Sequence, residues 1–126
     1  MAEYTPKLAL QGGPFTSQAS ATIVGGQFVG VSGVNTVGPA AAGSLVVVGV
    51  AAHDAATGAK LAVFPLKMIH ESVAGVGGIT AGNPIKVGAT ADVAVLWVTG
   101  TDSAAAFLGI ALNTAIATAT FRWIGR

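Results

Sequence analysis

Two adjacent histidine–carboxylate pairs, His53-Asp54 and His70-Glu71, are the residues best suited by type to acid–base or metal chemistry. An imidazole and a carboxylate can relay a proton or share a cation when both reach one point. Neighbouring residues on a strand project to opposite faces, so neither pair converges by itself. His53-Asp54 also opens a turn-forming stretch ending at Gly58, where Asp54 is expected to bond nearby backbone. Gly75-Val76-Gly77-Gly78 is glycine-rich, yet no Lys-Ser/Thr follows and no strand–turn–helix frame surrounds it, so it reads as a loop and not a phosphate cradle. Ser72 and Ser103 lack the frame of a strained nucleophile turn. Cysteine is absent, which excludes disulfides and thiolate sites. These residues predict no enzyme, no catalytic or metal site, no cofactor and no small-molecule substrate.

The aromatic residues read as packing. Trp97, Trp123, Phe64, Phe107 and Phe121 all lie inside apolar strand-like runs. Arg122 and Arg126 flank Trp123, but a base-stacking platform needs more positive charge around it, and the net charge is only +1. No nucleic-acid partner is expected. No membrane partner is expected either. The longest clean apolar run, Leu45 to Ala52, is interrupted by Gly49 and falls short of the ~20 residues a spanning helix needs. The first residues, with Glu3, Pro6 and Lys7, do not form a secretory signal.

The charged fraction is 9%, against about 25% in ordinary soluble proteins. A chain of this mass should expose about 6,000 Å², leaving about one charged side chain per 550 Å². No Asp, Glu, Lys or Arg appears between Lys7 and Asp54. Much of that neutral surface is expected to meet protein, from sister subunits or from a larger partner.

The elements that carry these residues read as all-β. Short β-branched runs bounded by Gly, Pro, Asn and Asp are common, and helical periodicity is hard to find. About eight short strands at this spacing predict a small β-barrel or β-sandwich, tulip-like in outline. Residues 1–22 read as an extended N-terminal arm punctuated by Pro6 and Pro14, and residues 23–126 as a single β domain. Gly25-Gly26 marks a hairpin or bulge, Ser32 to Ser44 a loop, and Asp102 the cap of a turn over Ser103 to Ala106. Within the domain, Val48-Gly49-Val50-Ala51 recurs as Leu108-Gly109-Ile110-Ala111. Each copy leads to an alternating strand, Ala59 to Phe64 in one and Ala119 to Ile124 in the other. Upstream, Gly25-Gly26-Gln27 has a partner in Gly82-Asn83-Pro84. One small β unit is used twice. The arm is expected either to add a strand to a partner's sheet edge or to fold onto its own domain. Tyr4, Pro6, Leu8 and Leu10 are its candidate contacts.

Several segments resemble the small capsid-decorating proteins of tailed bacteriophages, particularly phages of actinobacteria. They are Met1 to Lys7, Val24-Gly25-Gly26-Gln27-Phe28-Val29, Thr36 to Ala40, Val48 to Ala55, His70-Glu71-Ser72, Ile79 to Asn83, Leu108 to Leu112 and Arg122-Trp123. The resemblance implies a β-rich cement protein on the outer surface of an icosahedral head. It would be a homotrimer bridging neighbouring major capsid proteins, and Tyr4, Pro6, Leu8 and Leu10 would be its capsid contacts. The family carries an acidic residue where this chain has Asn83, a departure confined to one turn. It assigns no catalytic residue. A second reading is the base or adhesive module of a head fibre, or another virion structural subunit. A fibre base is expected to carry a further distal domain or repeat beyond Arg126.

Overall fold

A computed structural model describes residues 13–126. The fold is all-β, as expected, and it resolves into two closed five-stranded barrels. The first uses β1 (Phe15–Ala19), β2 (Phe28–Gly33), β3 (Thr36–Pro39), β4 (Val47–Ala51) and β5 (Lys60–Pro65) in the order β1-β3-β2-β4-β5. The second uses β6 (Ile69–Ala74), β7 (Pro84–Val87), β8 (Val93–Leu96), β9 (Gly109–Ala111) and β10 (Thr120–Gly125) in the order β10-β6-β8-β7-β9. In each barrel one parallel pairing, β1 with β3 or β6 with β8, closes a set of antiparallel ladders. Closure leaves no free sheet edge in either barrel.

The two barrels share their strand order, and their central ladder registers match, although only the first carries irregularities, in β2. Phe28 faces Val50 in the first, and Pro84 faces Ile110 in the second. Ile23 bridges Ala55, and Ile79 bridges Ala115. Gly26 and Gly82 both have positive φ, and both donate their N–H to the carbonyl of the last residue of a matching strand, Ala51 of β4 and Ala111 of β9. Gly82 therefore corresponds to Gly26 and not, as the sequence comparison suggested, to Gly25. The turn after β6 is one residue longer than the turn after β1, which hides the alignment.

Other expectations shift. β1 falls inside the stretch read as an arm and closes the first barrel. β3 lies inside the stretch read as a loop, since a turn at Asn35 (φ 54) folds it back on β2. Gly25-Gly26 is a turn before β2 and not a hairpin, because Ile23 bridges Ala55 instead of pairing with β2. The predicted turn after Asp102 is a short 3-10 helix at Ala104–Ala106, capped by Ser103. Tyr4, Pro6, Leu8 and Leu10 lie outside the described residues.

Each barrel has a closed end and a mouth. At the closed ends Ile23 and Ile79 cap the interiors, 1% and 3% exposed. The first interior is small: Ala19, Val29, Val37, Leu61 and Val63. The second is filled by larger side chains, Trp123, Phe121, Ile85 and Leu108, and its cluster continues into Phe28, Val47, Val50 and Leu66 of the first half. The core of the second barrel thus extends under the outer face of the first, while the first barrel's own interior forms a separate cluster. Phe28 donates its N–H to the Ala91 carbonyl at 2.7 Å, and Gly43 donates to the Val87 carbonyl at 3.0 Å. Gly125 lies so close to the Leu66 backbone that a Cβ there would collide with it.

Candidate functional site

The repeat decides the role of the first histidine–carboxylate pair. His53 Nδ1 lies 2.9 Å from the Asp54 carbonyl, and its Nε2 accepts from the Ala62 N–H at 3.3 Å. A carbonyl only accepts and an amide N–H only donates, so the proton sits on Nδ1. Asp54 Oδ1 accepts from the Gly25 N–H at 2.8 Å. In the second barrel Asn113 Oδ1 accepts from the Arg122 N–H at 2.7 Å, and Thr114 Oγ1 from the Ala81 N–H at 3.0 Å. Asn113-Thr114 stands where His53-Asp54 stands and performs the same two tasks. An amide and a hydroxyl cannot supply general acid–base chemistry near neutral pH. What the two copies share is acceptors for amides left free at the closed end of a barrel. Gln27 and Asn83 add a third matched acceptor, taking the Val24 and Thr80 N–H groups at 2.9 Å each. The departure at Asn83 therefore falls on a turn-closing side chain.

The second pair separates. Glu71 points outward and approaches the Arg122 guanidinium at 4.0 Å across the β6–β10 ladder, with both groups well exposed. An ion pair of that kind contributes little. His70 turns the other way. Its Nε2 bonds the Pro65 carbonyl at 2.9 Å, and its ring stacks on Trp123 with centroids 4.6 Å apart. Trp123 in turn packs on Phe28 of the first barrel at 5.7 Å and donates to Ser72 Oγ at 2.9 Å. Ser72, which lacks a nucleophile's frame in the sequence, is the acceptor for a buried indole. Trp123 is fully buried, so it offers no face to a nucleobase.

Burial holds the His70 imidazole below its ordinary value of 6.5, opposed in part by backbone carbonyls at Pro65 and Leu66. A lowered pKa means that the unfolded chain binds more protons than the folded one below that ordinary value. Stability from this group is complete above about pH 6.5 and is lost as pH falls toward the folded-state value. Phe15 holds the matching place in the first barrel, which makes His70→Phe the natural control. The melting temperature should fall more steeply between about pH 7.5 and about pH 5 in the wild type than in H70F. Parallel slopes, read by circular dichroism, would remove His70 from the acid response.

One charged pair escaped the sequence reading. Lys86 Nζ contacts Asp102 Oδ1 at 2.6 Å, and Asp102 Oδ2 accepts from the Val98 N–H at 2.7 Å. The Lys86 hydrogen bond holds the Asp102 carboxyl below the usual carboxylate value. Together they pin the long β8–β9 connection, where Trp97 Nε1 donates to the Ser103 carbonyl at 2.8 Å. Trp97 and Phe107 are not core. They are half-buried and meet edge to face at 5.9 Å. Gly75 to Gly78 forms a tight turn with positive φ at Gly77 and Gly78.

Among the described residues, no three His, Asp or Glu side chains gather closely enough to hold a metal. A surface depression of about 520 Å³ is a shallow hollow between Glu71, Leu112, Asn113 and Arg122. What the surface does offer is apolar side chains: Val31, Val34, Leu45, Val46, Val76, Ile116, Ile69 and Ile124 are all more than 40% exposed. The candidate site is therefore this apolar surface.

No protein-family model matches the chain, and no curated protein matches it. Its fold is similar to that of the N base of the head fiber gp8.5 of bacteriophage phi29. The TM-score is 0.64 at 20% sequence identity, over 90% of this chain and 92% of that one. The two-barrel architecture is a fold shared with a protein from a phage head.

Proposed function

We propose that this chain is a structural subunit of a tailed-phage virion, carried on the outer surface of the head. There it would act without catalysis or cofactor, binding the major capsid protein and cementing neighbouring copies as a homotrimer. The observation that carries this reading is the shared fold across nearly the whole chain with the base of a head fiber. The sparse charge and the many exposed apolar side chains support it, since an apolar surface with little charge favours contact with other protein. The same likeness favours a second reading, in which the chain is itself the base of a head fibre or adhesive module.

Heads purified with and without the protein separate the two. A ligand that binds only the assembled shell stabilises it by mass action. Under the cement reading, bare heads should release DNA at a lower temperature and under milder osmotic shock than decorated heads. Heads that bind the protein yet gain no stability would move it to the fibre-base reading. Failure of the protein to bind heads at all would overturn both.

A further inference from the structure

The two barrels meet through surfaces that each of them carries, and among the described residues only one of each kind is used. The contact places the flank of the first barrel over the mouth of the second. Phe28, Ala40, Val47 and Val50 face outward from their own barrel, yet they are at most 7% exposed because the second barrel covers them. The mouth they cover includes Val87, Leu108 and Trp123, all at most 1% exposed.

The register assigns the unused counterparts. Ala40 donates its N–H to the Phe28 carbonyl, and Trp97 donates to the Pro84 carbonyl. The second flank is therefore Pro84, Trp97, Phe107 and Ile110, and all four are only half-buried. The apolar row runs on across the ladder from Ile110 to Ile124 and Ile69, which are 45% and 63% exposed. The first mouth holds Phe15, Val31, Val37 and Val48 around a hollow of about 360 Å³. Val31 stands where Val87 stands in the second barrel, yet it is 53% exposed against 1%.

We propose that the chain associates head to tail with copies of itself. The second barrel's flank would seat in the first barrel's mouth of the next copy, repeating between chains the contact that joins the barrels within one. Among the described residues, no charged side chain lines the mouth. Lys86, beside Pro84 on the flank, is already neutralised by Asp102. Docking would then desolvate apolar surface without stranding a charge, which is the arrangement that favours association. The copies of the contact differ in one respect. Pro84 has no N–H to match the one Phe28 gives to Ala91, and Trp97 replaces Ala40, so the contact between chains rests on apolar and aromatic burial. A head-to-tail contact closes into a ring or runs on as a filament. This specifies the self-association in the proposed function, but it is tested on the isolated chain, so its failure is distinct from failure to bind heads.

The experiment is sedimentation velocity on the full chain and on two single variants, Val31→Glu in the mouth and Ile110→Glu on the flank. The wild type should sediment as an assembly, and each variant as a monomer with an unchanged circular dichroism spectrum. Thr16→Glu, at an exposed position in the same mouth, serves if V31E fails to fold. An equimolar mixture of the mouth and flank variants should then double in mass, because one keeps its flank and the other its mouth, while the two glutamates repel at the remaining ends. A monomeric wild type, or variants that still assemble, would overturn the proposal. Monomers that fail to complement would replace the head-to-tail contact with a symmetric one and so overturn it too. Dissociation on deleting residues 1–12 alone would give the mouth to that segment and likewise overturn it.

Discussion

Trp123→Ala is expected to lower the unfolding free energy by about 3–5 kcal/mol, the range for removing a large buried aromatic. The indole is fully buried in the second barrel, stacked on His70 and packed against Phe28 of the first. Its removal opens a cavity where the two barrels share a core and leaves the buried Ser72 hydroxyl without its donor. At about 4 °C per kcal/mol for a chain of this size, the melting temperature should drop by about 12–20 °C. Trp123→Phe keeps most of the apolar volume and loses the N–H, so it should cost distinctly less. A loss below about 1 kcal/mol for the alanine variant, in urea titration of both proteins, would mean the barrels are held by something other than this stack.

Gly49→Ala and Gly109→Ala should each cost about 3 kcal/mol, the upper part of the range for overpacking. A Cβ at Gly49 would run into the Phe64 carbonyl, and one at Gly109 into the Ile124 carbonyl. The obstacle is the backbone of the neighbouring strand, which cannot swing aside as a side chain can. The positions correspond in the two barrels and share no partner, so their costs should add. The double variant would lose about 6 kcal/mol, enough to consume much of a stability of about 5–15 kcal/mol. Gly13→Ala is the control: among the described residues nothing lies within 4 Å of its Cβ position, and a change within about 0.5 kcal/mol is expected. Measured melting of the three single variants decides the matter, and equal melting of G49A and G13A would refute the close-approach reading.

Much of the all-β architecture was legible because its signals are local. Val47 to Ala51, Lys60 to Pro65 and Val93 to Leu96 are β-branched or alternating runs between turn residues, and each became a strand. β3 was missed because Thr36-Val37-Gly38-Pro39 is short and ends in two residues that strands usually avoid. It is held as a strand by neighbours on both sides, a contribution absent from its own sequence. β1 was missed for a similar reason: Phe15 to Ala19 is polar, and its pairing with β5 and β3 is long-range. The repeat was visible in Val48-Gly49-Val50-Ala51 and Leu108-Gly109-Ile110-Ala111, because the glycine in each is required by a backbone contact. Its upstream register slipped by one because the turn that absorbs the extra residue tolerates either length.

The candidate site was less legible. His53-Asp54 and Asn113-Thr114 share no chemistry that a motif could register, and only the matched bonds to Ala62 and Arg122, Gly25 and Ala81 reveal one task. Residue types and their spacing by themselves determined that the chain is all-β, short of charge and built from one unit used twice, because composition and short-range periodicity are properties of neighbouring residues. Tertiary structure alone decided that the unit closes into a barrel, that Trp123 is core while Trp97 is half-buried on the flank, and that the flank of the first barrel is joined to the mouth of the second. Those outcomes depend on which outward-facing rows meet across strands distant in sequence. Phe28 and Pro84 occupy matching positions, and only the covering of one by the second barrel buries it.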